Sequence, residues 1–318
     1  MSGDNSETPV SAGDQPIHLH LSYYAVLCLD LLGQREAISA LEDLTLLRDN
    51  QPEYYRRFGE AARKVWHVRG FLEYRLDKEM GAALASAGYP VPRVTIQMFS
   101  DTCMAYFPYR RENPNSLVTL YSLLVATAET MIIGLASEVP IRGGLEIHAA
   151  TEFNETNIEA SPSPASVVRR GDIWGPAPKL AYELAETDHN YMRVRVGQGV
   201  PGLLIESAKS MSSQLQADPH KAQWFGPPNE VAKKAVRMIA RDPVDNHPIV
   251  DYLGKAMAET LAPETLALVG KAVVFAKSTY ERLRANHDGG VADKYGKLMS
   301  YIAARREPNG IAPALSES

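Results

Sequence analysis

The pattern of apolar and polar positions begins to be informative at His18. From there to Leu29 the chain reads as a strand, with two tyrosines followed by the near-continuous apolar run AVLCL. Arg35 to Arg48 has helical spacing, with Ala37, Ile38, Leu41 and Leu44 on one face. Asp49-Asn50-Gln51-Pro52 reads as a break, and a second amphipathic helix is predicted from Glu53 to Ser86. Arg93–Met98 and Thr102–Phe107 are short strands around the tight turn Ser100-Asp101, which predicts a hairpin. Asn115 to Leu135 is a long apolar-periodic helix, with Asn115 or Ser116 as its cap.

Val139 to Thr151 is strand-like around Arg142-Gly143-Gly144, and Phe153 to Arg170 has the Ser, Pro and Asn content of a loop. A helix opens at Gly175-Pro176 and runs through Glu186. Tyr191 to Val196 alternates as a half-buried strand. Beyond Gly202 the pattern is almost wholly helical, in segments near 203–216, 228–240, 248–260, 264–286 and 291–306. The order β, α, α, β-hairpin, α, β, α, β predicts an α+β fold with helices on one face of a mixed sheet. The expected organisation is a tail over 1–17, a principal domain over 18–200, a helical extension over 201–306 and a second tail over 307–318.

Composition narrows the classes. The 318 residues are 45% hydrophobic and 22% charged, enough for a sizeable core. The net charge of −5, from 33 basic and 38 acidic residues, argues against a broad nucleic-acid surface. Two cysteines, Cys28 and Cys103, give no disulfide framework and no Cys-x-x-Cys, so a reducing compartment is the default. No stretch reads as long and apolar enough to span a bilayer, and the polar opening MSGDNSETPVSAGDQP lacks the apolar core of a leader. A cytoplasmic protein without membrane contact is expected.

The first strand runs into an acid, Asp30, and a carboxylate beside a core strand is costly unless a positive group meets it. Asp101 stands at the hairpin turn. If the two strands are neighbours, both acids reach the same sheet edge, where they repel unless a cation lies between them. Mg²⁺ suits such a pair, because it takes few protein oxygens and completes its shell with phosphates and water. Each Asp is equally readable as an ordinary turn residue.

The phrases CLDLLG, MFSDT, IRGGLEI and DIWGPAPKLAYELAE, in this order over Tyr23 to Val196, resemble the pyrimidine nucleotide cyclases of bacterial anti-phage defence. These are a divergent branch of the class III nucleotidyl cyclases. The resemblance implies a ferredoxin-like cyclase core, a head-to-tail homodimer and two Mg²⁺ or Mn²⁺ ions. It also implies a pyrimidine nucleoside triphosphate, UTP or CTP, as substrate and a 3′,5′-cyclic nucleotide as product, read by a separate effector that senses cyclic nucleotides. Asp30 and Asp101 would hold the metals, helped by the Leu31 carbonyl, with Gly33 in the turn beside the substrate.

One departure matters. Class III cyclases carry Gly-x-x-Val-Asn-x-Ala-x-Arg, and laid on Gly175 the corresponding positions are Pro178, Lys179, Ala181 and Glu183. The Asn and the transition-state Arg are missing. Another cation must meet the charge developing on the α-phosphate; Arg142 and Lys179 are the candidates, although Arg142 is also readable as a strand-edge surface residue. For the base and triphosphate, Tyr54 and Tyr55 compete with Tyr191 and Arg193.

Other patterns rank lower. GQGVPG, Gly197 to Gly202, matches a dinucleotide-loop spacing but reads better as a flexible exit from the core. His18 with His20, and Glu146 with His148, share strand faces without a third ligand. Cys28 reads as a small apolar core residue. The alternatives are another two-metal enzyme acting on a purine nucleotide or a phosphodiester, and a cyclase-like module that binds nucleotide without turnover.

Overall fold

The computed structural model describes residues 21–33, 39, 51–87, 93–110, 113–153, 172–187, 191–218, 220 and 222–313. The pair His18 and His20 and nearly all of the helix expected over 35–48 lie outside them.

Strand β1 (Ser22–Leu31) leads to helix α1 (Gln51–Ala87). The helix starts at Gln51, because Pro52 falls in the first turn, where its missing N–H has no helical partner to lose. Strands β2 (Thr95–Phe99) and β3 (Thr102–Pro108) form the expected hairpin, with Phe99 paired to Thr102. Ser100 takes a positive φ of 56° in the two-residue turn. Helix α2 (Pro114–Ala136) is capped by Asn113, not by Asn115 or Ser116; the Asn113 side chain accepts from the Asn115 N–H at 2.9 Å, and Pro114 occupies the first turn. Strand β4 (Ile141–Phe153) follows.

The sheet runs β2-β3-β1-β4, with β1 antiparallel to both β3 and β4. The βαββαβ order and this arrangement are those of a ferredoxin-like sheet. Alternation along β1 sorts its side chains. Ala25, Leu27, Leu29 and Leu31 meet Val68 and Leu72 of α1 and Leu120 and Leu124 of α2 on one face. Tyr24, Val26 and Cys28 face the other way. That second face is covered by helix α3 (Pro176–Glu186), through Ala177, Ala181 and Ala185 at intervals of one turn. A short strand β5 (Asp172–Trp174), not foreseen from the sequence, pairs with the end of β4.

Helix α2 corrects the expectation that no segment could span a bilayer. Pro114–Ala136 is long and apolar enough by length and composition, but 94% of its most apolar window is buried in this fold. It carries the fully buried Glu129, whose Oε1 accepts from the Ala262 N–H at 3.0 Å and the Thr265 hydroxyl at 3.1 Å, with Arg75 of α1 at 3.4 Å from Oε2.

The region after 200 is not wholly helical. Strand β6 (Val194–Val196) lies parallel to β4, and helix α4 (Gly199–Ala217) starts within GQGVPG, so that motif is a strand-to-helix turn and not a loose exit. Helix α5 (Ala222–Arg237) is followed by strands β7 (Ile239–Arg241) and β8 (Pro248–Val250), the latter where helix was expected. Ile249 of β8 pairs with Arg195 of β6, which extends the sheet into the C-terminal segment. Short helices α6 (Lys255–Ala258) and α7 (Pro263–Leu266) precede α8 (Val269–Ala285) and α9 (Gly289–Ala304). Buried Val273, Ala276, Leu298 and Ile302 of α8 and α9 belong to the same core as β1.

Candidate active site

Asp30 is the penultimate residue of β1, and the alternation that buries Leu29 and Leu31 under α1 and α2 turns Asp30 to the α3 face. It sits opposite Thr102 of β3 and Arg142 of β4, and is 6% exposed. Asp101 immediately precedes Thr102, so the hairpin turn falls beside Asp30. The Leu31 N–H donates to the Asp101 carbonyl at 3.4 Å, which ties the two acidic segments together. The structure therefore brings the two predicted carboxylates to one sheet edge.

The positive partner of Asp30 is Arg142. Its Nε donates to Asp30 Oδ2 at 2.7 Å from a side chain only 14% exposed. Register alone produces this pair, because Asp30 and Arg142 are direct cross-strand neighbours. Arg142 is thus no strand-edge surface residue. Burial raises the Asp30 pKa from its ordinary value; Arg142 opposes this, and the negative charges of Asp101 and Glu186 add to the rise. Asp30 thus feels two further negative charges against the one guanidinium that touches it.

Glu186, which the sequence did not single out, joins Tyr182 at this site. They lie one turn apart on α3, and the Tyr182 hydroxyl donates to the Glu186 carboxylate, which together with burial and the charge of Asp30 pushes the phenol pKa up to about 12. Helix α3 comes this close because β4 carries glycine at 144. A Cβ there would stand 2.1 Å from the Ala181 carbonyl oxygen and 2.6 Å from Leu184 Cβ. The signal in the sequence was the small-residue stripe Ala177, Ala181, Ala185, which marks the buried side of α3 and places Tyr182 and Glu186 beside it.

The remaining candidates are dispersed. Lys179 is 72% exposed and pairs with Glu183 at 3.5 Å, about 10 Å along the helix axis from Glu186. Gly33 follows β1 in an exposed turn, with φ +83°. Tyr54 stacks on Phe58 and meets Tyr55 edge-on near the start of α1, where Tyr55 is exposed. Tyr191 and Arg193 are not in an open cleft. Tyr191 is fully buried and donates to Asp242 Oδ2 at 2.6 Å; the Arg193 guanidinium lies over its ring and pairs with Asp242 and Asp245, each at 2.7 Å. Both are engaged by the β7–β8 connection. Glu146 lies over Gly197 and accepts from the Ile147 N–H at 2.9 Å, while His148 is exposed. The Cys28 thiol is buried, and burial, followed by the charge of Asp30, raises its pKa well above the ordinary value.

The donor set suits a hard divalent ion. Among the described residues no group of three His, Cys, Asp or Glu forms a ready-made metal cage. Two carboxylates at a sheet edge, with a backbone carbonyl nearby, instead match an ion that takes the rest of its shell from phosphate oxygens and water.

No family model and no curated protein matches the chain. Among solved structures, one match is a bacterial light-regulated adenylyl cyclase, 17% identical, covering 58% of this chain and 45% of that one, with a TM-score of 0.34. The chain thus spans less than half of that structure's length. At that TM-score the likeness is too loose to assign an activity.

Proposed function

We propose that this chain is a metal-dependent nucleotidyl cyclase acting on a pyrimidine nucleoside triphosphate, UTP in preference to CTP, with release of pyrophosphate. The observation that carries the reading is the convergence of Asp30 and Asp101 at one sheet edge, tied by the Leu31–Asp101 backbone hydrogen bond, with Arg142 on Asp30. Asp30 and Asp101 would hold Mg²⁺ or Mn²⁺, with the Leu31 carbonyl as a further oxygen. Bound there, the ions supply positive charge to the phosphate oxygens and acidity to the sugar 3′-hydroxyl.

The 3′-oxygen attacks the α-phosphorus in line. The new P–O bond forms as the bond to the α,β-bridging oxygen breaks, the proton passes to solvent and pyrophosphate leaves. The chain's share is positioning and charge. Asp30 and Asp101 would hold the ions that fix the triphosphate against the sheet edge. Arg142 would offer its remaining N–H groups to an α-phosphate oxygen while Nε stays on Asp30. Lys179 projects from the exposed side of α3, so its phosphate role belongs to a site shared with a second copy of the chain. A homodimer in the cytoplasm, signalling through its cyclic product to a separate effector in anti-phage defence, is the corresponding biology.

A second reading has its own support. Lys179 and Glu183 occupy the positions of the missing Asn and Arg and neutralise each other, as suits a module that binds nucleotide without turnover. Incubation of the purified protein with Mn²⁺ and each labelled nucleoside triphosphate, with products resolved by chromatography, separates the two. A cyclic UMP or CMP peak absent from Asp101→Asn supports the cyclase. A cyclic purine product overturns the pyrimidine assignment, and binding without product favours the second reading.

A further inference from the structure

The Tyr182–Glu186 pair has no role in the chemistry above, yet the fold brings it to that site. Antiparallel β1 and β4 place Cys28 opposite Gly144 and Asp30 opposite Arg142. Helix α3 runs along β4 with Gly175 against Ala150 and Ala181 and Ala185 over Gly144. Glu186, just past Ala185, therefore lies at the level of the Asp30–Arg142 pair, and Tyr182 one turn earlier lies beside Cys28. Both carry their charge or dipole into the surroundings of Asp30. Tyr182 keeps 39% of its surface exposed, so a large aromatic ring forms part of the open rim next to a buried carboxylate.

The hydrogen bond fixes what this rim can read. A carboxylate only accepts, so the phenolic proton is committed to Glu186. The phenolic oxygen then presents only lone pairs to a ligand and can recognise only a donor. On a nucleoside triphosphate lying against Asp30 and Asp101, the neutral donors nearest the reacting α-phosphorus are the sugar hydroxyls. The 3′-hydroxyl is the nucleophile, which leaves its neighbour.

We propose that Tyr182, oriented by Glu186, is a specificity-determining residue that accepts a hydrogen bond from the 2′-hydroxyl of the nucleotide and so selects ribose over deoxyribose. This rests on the reading of Asp30 and Asp101 as a nucleotide site. Glu186 is a positioning residue, and it acts by holding the phenol.

The test compares 3′-deoxy-UTP with 2′,3′-dideoxy-UTP by titration calorimetry with Mg²⁺ and the full chain, repeated with the cytidine pair. The two ligands differ only in the 2′-hydroxyl, and neither can cyclise. Wild type is expected to prefer the 3′-deoxy ligand about three- to ten-fold, the worth of one hydrogen bond. Tyr182→Phe, which keeps the ring, is expected to bind both ligands equally, and Glu186→Ala to lose most of the preference, with thermal melts confirming folding. A preference that survives in Tyr182→Phe, or is absent from wild type, overturns the proposal. If the preference behaves as expected but no ribonucleotide is cyclised by wild type, the sugar-reading role stands and the cyclase reading fails. If wild type binds neither pair, both fall.

Discussion

Removing Arg142 leaves Asp30 without its only close cation among the described residues. The pair is 2.7 Å long, and its side chains are 14% and 8% exposed, so it is closer to a buried ion pair than to a surface one. Truncating one partner of such a pair costs ~3 kcal/mol, mostly the penalty of the uncompensated charge. Arg142→Ala is therefore expected to unfold about 4–5 °C below wild type in metal-free buffer. Asp30→Asn should cost less, since the amide needs no counter-charge. The double variant should be more stable than the summed losses imply, with a coupling energy of about 1–3 kcal/mol. A second readout follows from the same charges. With Arg142 gone, Asp30 and Asp101 would attract a divalent ion without competition, and each ten-fold gain in ion affinity returns up to about 1.4 kcal/mol. Millimolar Mn²⁺ should thus raise the melting temperature of Arg142→Ala more than that of wild type. Calorimetric melts of the four proteins with and without Mn²⁺ give both quantities. Additive losses within about 0.5 kcal/mol, together with equal Mn²⁺ shifts, would refute the account of Asp30 and Arg142 as one electrostatic unit.

Gly144→Ala should be overpacked, because α3 must retreat by ~1 Å or more to clear the new methyl; the expected loss is ~1–3 kcal/mol with weakened nucleotide binding, and an unchanged melt would mean that α3 does not lie on Gly144. Asp245 gives a pH signature. Burial pulls its pKa up, but hydrogen bonds from Arg193 and the His247 N–H outweigh this and hold it at about 2, below the ordinary 3.8. A carboxylate depressed in the folded state adds stability above its unfolded pKa and loses it as pH falls through the folded one. The stability gap between wild type and Asp245→Asn should therefore be full at pH 6 and close as pH drops from about 4 toward 2; a gap independent of pH in urea titrations would refute it.

The core topology was legible because β1, the hairpin, α2 and β4 are apolar runs of strand or helix length bounded by turn and cap residues. Asp30 and Asp101 were legible as acids at the ends of apolar strands. Arg142 was visible as a cation, but its partner was not, since the pairing depends on cross-strand register, and register is a property of two strands together. The pairing of Tyr182 with Glu186 was not legible because it depends on how closely α3 approaches β4, which Gly144 sets. The β7–β8 strands are three residues each, too short for any periodicity to show. Tyr191 and Arg193 had the chemistry of a binding site, and only the fold shows that Asp242 and Asp245, some fifty positions later, engage them.

The joining of β6 to β8 bears on how this chain can be cut. A fragment ending near residue 200 would leave β6 as a bare edge strand, with its ladder open to any passing chain. It would also strip Asp242 and Asp245 from Arg193, a guanidinium 1% exposed, which would then have to be hydrated or find a new partner. The segment that carries Asp30 and Asp101 thus shares one sheet with the C-terminal strands. The strand that borders Gly143 and Gly144 of β4 is itself closed by the distal third of the polypeptide, so the sheet edge that carries Asp30 and Asp101 and the chain's far end fold, and fail, together.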